Sequence, residues 1–247
     1  MYGALIALSI YQSIAFFVTL FLCYKANWFN ISYLFGKIEP HIAKKFAAFA
    51  LMALASAVCV PLSQMAIRSY LSQEFGLNYA GYWEAMIRLS AAYLMLVTTT
   101  LGVYYLPRLA ELTHLDEIKK EVYLGYKFIF PLAVIGGLSV YLLRDWIIAL
   151  LFSQAFMPMR DLFLWQMIGD SLKIGSWILA YLMLGKAMTK LFVTTEILFA
   201  LSSVGLTYVC IKLFGFEGVS IAHLVNYAFY WLVMSYYIFR TLKSQRG

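Results

Sequence analysis

The feature that most constrains this chain is a series of apolar stretches, each about 20 residues long, separated by short polar segments. A helix of that length crosses the hydrocarbon core of a bilayer, whereas barrel strands show alternating patterns of about ten residues. The composition agrees, because 63% of the 247 residues are hydrophobic and only 13% are charged. We therefore predict an all-α polytopic membrane protein.

The apolar stretches predict seven transmembrane helices. They lie at about 3–24, 46–67, 82–106, 123–143, 162–184, 191–211 and 218–239. The segment DWIIALLFSQAF, between the fourth and fifth spans, is apolar but short, and we expect a half-helix at the membrane interface. Met1 is followed directly by the first span, without the basic region or cleavage site of a signal peptide.

Basic residues lie mostly on one side of this topology, which predicts its orientation. The side we assign to the cytoplasm holds twelve: Lys25, Lys37, Lys44, Lys45, Arg108, Lys119, Lys120, Lys186, Lys190, Arg240, Lys243 and Arg246. The opposite side holds four: Arg68, Arg144, Arg160 and Lys212. Since positive charge favours the cytoplasm, we predict a periplasmic N-terminus and a cytoplasmic C-terminus. This distribution also accounts for the net charge of +7 without a nucleic-acid partner.

The first and last spans resemble each other, which suggests an internal repeat. Aligned without gaps they share Gly3/Gly218, Ile6/Ile221, Ala7/Ala222 and Val18/Val233, and each ends in a basic residue. Many secondary transporters are built from repeats with the binding site between them. We predict that residues 1–45 are the last helix of an N-terminal lobe plus a linker, and that residues 46–247 form a six-helix lobe.

Asp170 and Lys173 lie near the middle of the fifth predicted span. A charge at the centre of a membrane helix costs roughly 2.5–3.5 kcal/mol, so such residues commonly mark a substrate or ion pathway. Their spacing of three places them on one helical face, where they can pair. Two interpretations stay open: an electrostatic contact between helices, or a cavity in which Lys173 binds an anionic headgroup while Asp170 tunes that lysine or accepts a proton.

Other charged residues within spans are weaker candidates for the same site. Glu84 and Arg88 form an i, i+4 pair in the third span, and Lys127 lies one turn into the fourth. Arginine suits pyrophosphate oxygens because its planar fork donates two parallel hydrogen bonds. The alternative for all three is that they snorkel to the membrane surface. Pro131, in the same helix as Lys127, predicts a kink that shapes a cavity wall.

The remaining polar residues predict packing and not chemistry. His223, Glu196 and Asn226 are expected to form hydrogen bonds between helices. Cys23, Cys59 and Cys210 lack metal-ligand spacing and lie in apolar runs, so we expect neither a metal site nor a disulfide. The sequence contains no nucleotide-binding glycine motif and no catalytic triad or HExxH pattern. We predict a protein without a cofactor that is not an enzyme.

Two segments, GYWEAMIRLSAAYLMLVTTTLGVYYLPRL (81–109) and LLRDWIIALLFSQAFMPMRDLFLWQMIGDSLKIGSWILAYLMLGKA (142–187), resemble one family. They are similar to the Wzx-type flippases of bacterial surface polysaccharides, which include those of enterobacterial common antigen and O-antigen. The order of Arg160-Asp161, Trp165-Gln166, Gly169-Asp170 and Lys173 is the most specific part. The resemblance implies the two-lobe, twelve-helix fold of the multidrug/oligosaccharidyl-lipid/polysaccharide exporter superfamily. This chain would correspond to helices six to twelve.

The resemblance also implies a function. The substrate would be an undecaprenyl-pyrophosphate-linked oligosaccharide, flipped from the cytoplasmic to the periplasmic leaflet of the bacterial inner membrane by alternating access. A polysaccharide polymerase and a chain-length regulator would be partner proteins. The alternatives are an ion-coupled multidrug exporter of the same superfamily, a membrane-embedded polymerase or ligase, and an inactive truncated fragment. The short outward loops argue against the polymerase.

Overall fold

The computed structural model describes residues 2–26 and 39–244, all of them in helices or short connections. We number the α-helices in chain order: α1 Tyr2–Lys25, α2 Pro40–Phe75, α3 Leu77–Glu111, α4 Leu115–Leu142, the short α5 Arg144–Leu151, α6 Phe163–Gly185, α7 Thr189–Phe214 and α8 Gly218–Ser244. A 3-10 segment, Gln154–Leu162, leads into α6. Within the described ranges there is no strand.

Within residues 2–26 and 39–244, five continuous helical stretches are long and apolar enough to cross a membrane. They are Pro40–Phe75, Leu77–Glu111, Leu115–Leu142, Gln154–Gly185 and Thr189–Ile238, of which the last contains both α7 and α8. These stretches contain six of the long helices, and α1 is the seventh in the described part of the chain. The predicted all-α polytopic fold with seven long helices is therefore confirmed. Lys37 and Arg246 of the predicted charge distribution lie outside the described residues.

The helices extend beyond their predicted ends. α2 runs from Pro40 to Phe75, where the sequence predicted 46–67, and Arg68 therefore lies in a helix and not in a loop. The added turns carry polar and charged residues, which a hydropathy window excludes although they are compatible with a helix in the headgroup region. Gly76, with φ +93, ends α2 in a conformation that favours glycine and turns the chain into α3.

Two helices contain a π-helical turn directly before a proline. α3 has one at Leu101–Tyr105, followed by Pro107, and α4 has one at Gly125–Ile129, followed by Pro131. A proline lacks the N–H of the regular ladder and its ring clashes with the carbonyl four residues earlier, and the wider turn relieves both problems. The irregularity predicted at Pro131 is thus a π turn in the helix.

The connection between α4 and α6 contains the short helix expected from the sequence. α5 exposes Trp146 and Leu150, as a helix at a membrane interface does. Arg160 donates two hydrogen bonds to Asp145, from Nε at 2.6 Å and from an Nη atom at 3.2 Å. These hydrogen bonds hold the pKa of the Asp145 carboxyl below its ordinary value.

The chain divides into two compact units, Met1–Phe46 and Ala47–Gly247. In the second unit α6 is the central helix. Of the apolar stretch within Gln154–Gly185, 61% is buried, against 6% of the apolar stretch within Pro40–Phe75. Glycine permits its close contact with α8: a Cβ built on Gly169 would lie 2.5 Å from the His223 ring. The assignment of residues 1–45 to a separate lobe stays a prediction.

Candidate functional site

Four functional side chains follow one another along a single face of α6. Gln166, Asp170, Lys173 and Trp177 are spaced by four, three and four residues, which keeps them aligned on a helix with 3.6 residues per turn. Gln166 and Asp170 are almost completely buried, and Lys173 is half-buried. This face is turned towards α2, α7 and α8 across two cavities that share part of their lining.

Asp170 is fully buried and satisfied by side chains from three helices. Its Oδ2 atom accepts a hydrogen bond of 3.0 Å from the Tyr93 hydroxyl on α3. Its Oδ1 atom lies 3.0 Å from Nε2 of His223 on α8 and 3.4 Å from Nε2 of Gln166. His223 donates to this oxygen in the tautomer that carries its proton on Nε2. Asp170 therefore connects three helices, in agreement with the interhelical contact that the sequence left open.

Lys173 does not form the predicted pair with Asp170. In the described part of the chain no carboxylate oxygen lies within 4 Å of its Nζ atom. The ammonium group lies instead 4.8 Å from the ring centre of Trp177 and 5.9 Å from that of Tyr227. Ring faces attract cations, but they do not neutralise them. The acid therefore has three hydrogen-bonding partners, whereas the base has no salt-bridge partner among the described residues.

The first cavity, which we call the polar cavity, has a volume of about 300 Å³. Helices α2, α3, α6, α7 and α8 all contribute to its wall. Its polar lining consists of Ser63, Gln64, Ser90, Gln166, Asp170, Lys173, Glu196, Ser203, Thr207, His223 and Asn226. Hydroxyl, amide and carboxyl groups thus surround a space at the small end of the range for ligand pockets, about 300–1,000 Å³.

The second cavity, which we call the aromatic cavity, has a volume of about 390 Å³. Its wall contains the rings of Trp177, Tyr181, Phe192, Phe199, Tyr227 and Tyr230. The two cavities have part of their lining in common: Val60, Gln64, Lys173, Glu196, Phe199 and Tyr227. Lys173 therefore lies at the junction of a polar and an aromatic space.

Glu84, Arg88 and Lys127, the other predicted site residues, line neither cavity. Glu84 pairs with both Arg68 and Arg88, the latter at 3.1 Å, and the Arg88 side chain is 79% exposed. Lys127 is also exposed and lies 5.4 Å from the ring centre of its neighbour Phe128. Of the five predicted residues, the structure brings only Asp170 and Lys173 to the cavity wall.

Several cavity residues were not assigned to a site from the sequence. Asn226 accepts a hydrogen bond of 2.7 Å from Ser202, and Glu196 accepts one of 3.2 Å from Ser56, as expected for contacts between helices. Both residues nevertheless line the polar cavity. His223 is 53 residues from Asp170, so no local pattern could reveal their pairing. Gln166 and Trp177, in contrast, could be found from their spacing to Asp170 and Lys173 on one helical face.

Comparison with known proteins gives a consistent result, although no family model matches the chain. The chain is 33% identical over 195 residues to a protein called lipid III flippase from Escherichia coli K12, and equally to one from Shigella flexneri. These matches cover 79% of this chain and 47% of each relative, so the chain spans about half the length of the curated relatives it matches.

A solved structure supports the fold. The MATE transporter VcmN of Vibrio cholerae, in its bent form, matches with a TM-score of 0.62 and 16% identity, over 81% of this chain and 47% of that one. This partial coverage of a larger transporter fits the prediction that the chain corresponds to a C-terminal portion. The predicted resemblance is thus confirmed: over 79% of its length this multi-pass membrane protein is similar to proteins named lipid III flippase, and its fold matches part of a MATE transporter.

Proposed function

We propose that the chain takes part in flipping an undecaprenyl-pyrophosphate-linked oligosaccharide across the bacterial inner membrane, from the cytoplasmic to the periplasmic leaflet. The observation that carries this proposal is the position of Lys173, a charged side chain inside the bundle with no carboxylate within 4 Å among the described residues. A pyrophosphate supplies the missing negative charge. The relatives named lipid III flippase support this choice of substrate.

The physical task is to move a charged, hydrated group through hydrocarbon. Water must be replaced by protein groups that bind pyrophosphate and sugar hydroxyls, because a buried polar group without a partner is costly. Lys173 provides the positive charge, and the polar cavity provides hydroxyl and amide groups. The polyprenyl tail stays in lipid throughout. No covalent bond changes in this scheme, so the protein acts as a transporter and not as an enzyme.

We further propose the orientation that the basic residues predict, with the C-terminus in the cytoplasm. Alternating access by two rocking lobes would expose the cavities to each side in turn. Arg88, with Glu84, and Lys127 remain proposed contacts for the anion outside the two cavities. A polysaccharide polymerase and a chain-length regulator remain proposed partner proteins.

The shared fold with a MATE transporter supports a second candidate, an ion-coupled multidrug exporter. Such a protein would bind organic cations through Glu196 and the aromatic rings. Lys173 argues against this candidate because it would repel a cation from the junction of the two cavities.

A binding measurement tests the proposal. We expect the purified chain in nanodiscs to bind undecaprenyl pyrophosphate, and Lys173→Ala to weaken this binding at least tenfold, as measured by native mass spectrometry. Lys190→Ala, which removes an exposed lysine at the start of α7, serves as the matched control and should bind normally. Equal binding by Lys173→Ala and the unaltered chain, or preference for an organic cation such as ethidium, would contradict the proposal.

A further inference from the structure

The aromatic cavity has a composition that transport of a pyrophosphate alone does not require. Its six rings form a wall along α6, α7 and α8, and Lys173 is at its edge. Three of the rings pack against one another. The ring centre of Phe199 lies 4.8 Å from that of Tyr227 and 4.9 Å from that of Tyr230. Rings supported in this way form a rigid surface, because offset and tilted aromatic pairs stabilise each other.

The polar groups of this cavity are few, and they differ in kind from the rings. Glu196, Gln64 and Ser56 line it together with the α6 residues Trp177 and Tyr181. A wall of flat apolar faces next to a carboxylate, an amide and a hydroxyl suits a ring that is apolar on its faces and polar around its edge. A pyranose has this form: its C–H groups contact an aromatic face while its hydroxyls donate to and accept from the polar groups.

A polyprenyl chain fits the same cavity less well. It would cover Glu196 and Gln64 without forming a hydrogen bond, and polar groups buried in that way are costly. The tail also gains nothing by leaving the lipid, which is as apolar as the rings. The polar groups of the cavity therefore favour a sugar over the tail.

We propose that the aromatic cavity is the saccharide subsite, which holds the sugar directly attached to the pyrophosphate while Lys173 binds the phosphate oxygens. This assignment rests on the proposed function. Trp177 has two roles in it, since its ring lies 4.8 Å from the Lys173 ammonium and also lines the cavity. The volume of about 390 Å³ sets the scale at a small ligand and not at a whole oligosaccharide.

The experiment compares the affinities of one protein for the bare carrier and for the carrier with a sugar attached. Native mass spectrometry of the nanodisc-embedded chain measures its affinity for undecaprenyl pyrophosphate and for the same carrier bearing one hexose or one N-acetylhexosamine. We expect at least one sugar to raise the affinity about tenfold. Tyr181→Leu should remove most of this increase while leaving the affinity for the bare carrier unchanged. Trp177→Leu should remove the increase and also lower the affinity for the bare carrier, because its ring lies beside Lys173, and Trp177→Phe should retain both. Trp146→Leu, on the exposed face of α5, should behave as the unaltered chain.

The outcomes separate this inference from the proposed function. If the bare carrier binds through Lys173 but no sugar raises the affinity, or if both leucine variants keep the full increase, the saccharide subsite is refuted and the proposed function stands. If the bare carrier does not bind, the proposed function fails. Because Trp177 also contacts Lys173, the sugar-dependent increase in Tyr181→Leu is the deciding value: its loss supports the subsite, and its full retention refutes it.

Discussion

Asp170 and Lys173 stand three residues apart, yet their chemical situations differ. Asp170 is enclosed by donors from Tyr93, His223 and Gln166, so its charge serves the contact between helices. Among the described residues no carboxylate oxygen lies within 4 Å of the Lys173 ammonium, which faces the rings of Trp177 and Tyr227. A charge at the centre of a membrane helix costs roughly 2.5–3.5 kcal/mol, whereas a cation–π contact at an exposed site contributes only about 0.5–1 kcal/mol. An anion bound beside Lys173 would offset part of that cost.

The first prediction concerns the Asp170 contacts. Asp170→Ala leaves the Tyr93 hydroxyl and the His223 ring without an acceptor, and each buried unpaired group costs about 1–3 kcal/mol. We expect a clear fall in melting temperature of the detergent-solubilised protein, and a smaller fall for Tyr93→Phe, which removes one hydrogen bond. Asp161→Ala, at an exposed carboxylate, is the control. A melting temperature equal to that of the control would show that these hydrogen bonds do not stabilise the bundle.

The sequence was sufficient to find both charged residues, because a charge in an apolar run is visible without a structure. It was insufficient to find their partners. Their i, i+3 spacing predicted that Asp170 and Lys173 could pair. In the structure the Lys173 ammonium instead lies over the ring of Trp177, four residues further along, and Asp170 is hydrogen-bonded to His223. Arg88 and Lys127 also stood out in the sequence, but burial depends on neighbouring helices, and the structure leaves both exposed.

At the scale of elements, the centres of the helices were predictable and their ends were not. Hydropathy locates the part of a helix that lies in hydrocarbon, whereas α2 continues past Arg68 to Phe75. The π turns before Pro107 and Pro131 could be expected only as irregularities, because a proline can be accommodated by a kink, a break or a wider turn. Contacts that depend on an absent Cβ, such as Gly169 against α8, required the structure.

The second prediction follows from that contact. Gly169→Ala would place a Cβ 2.5 Å from the His223 ring and 3.1 Å from Cα of Leu224, so α8 must move away from α6. We expect a loss of about 1–3 kcal/mol in stability, measured by thermal unfolding. Gly205→Ala in α7 is a close match, because nothing lies within 4 Å of its added Cβ. Equal stability of the two variants would contradict the close packing of α6 and α8.

At the scale of the whole molecule, the topology gives a third prediction. Ser153 lies exposed before the 3-10 segment, and Thr113 lies exposed between α3 and α4, on the opposite side of the predicted topology. In a background with the native cysteines replaced, Ser153→Cys should react with a membrane-impermeant maleimide in intact spheroplasts. Thr113→Cys should react only after permeabilisation. The reverse pattern would invert the proposed orientation.

We propose that Lys173 provides the charge on which transport of a lipid-linked glycan depends. The most direct measurement is surface enterobacterial common antigen in an Escherichia coli strain that lacks its lipid III flippase, with this chain joined behind the first half of that flippase. We expect the hybrid to restore the antigen, and Lys173→Ala to reduce it at least tenfold at an unchanged level in the membrane. Full restoration by Lys173→Ala, or none by a hybrid that reaches the membrane, would contradict the account.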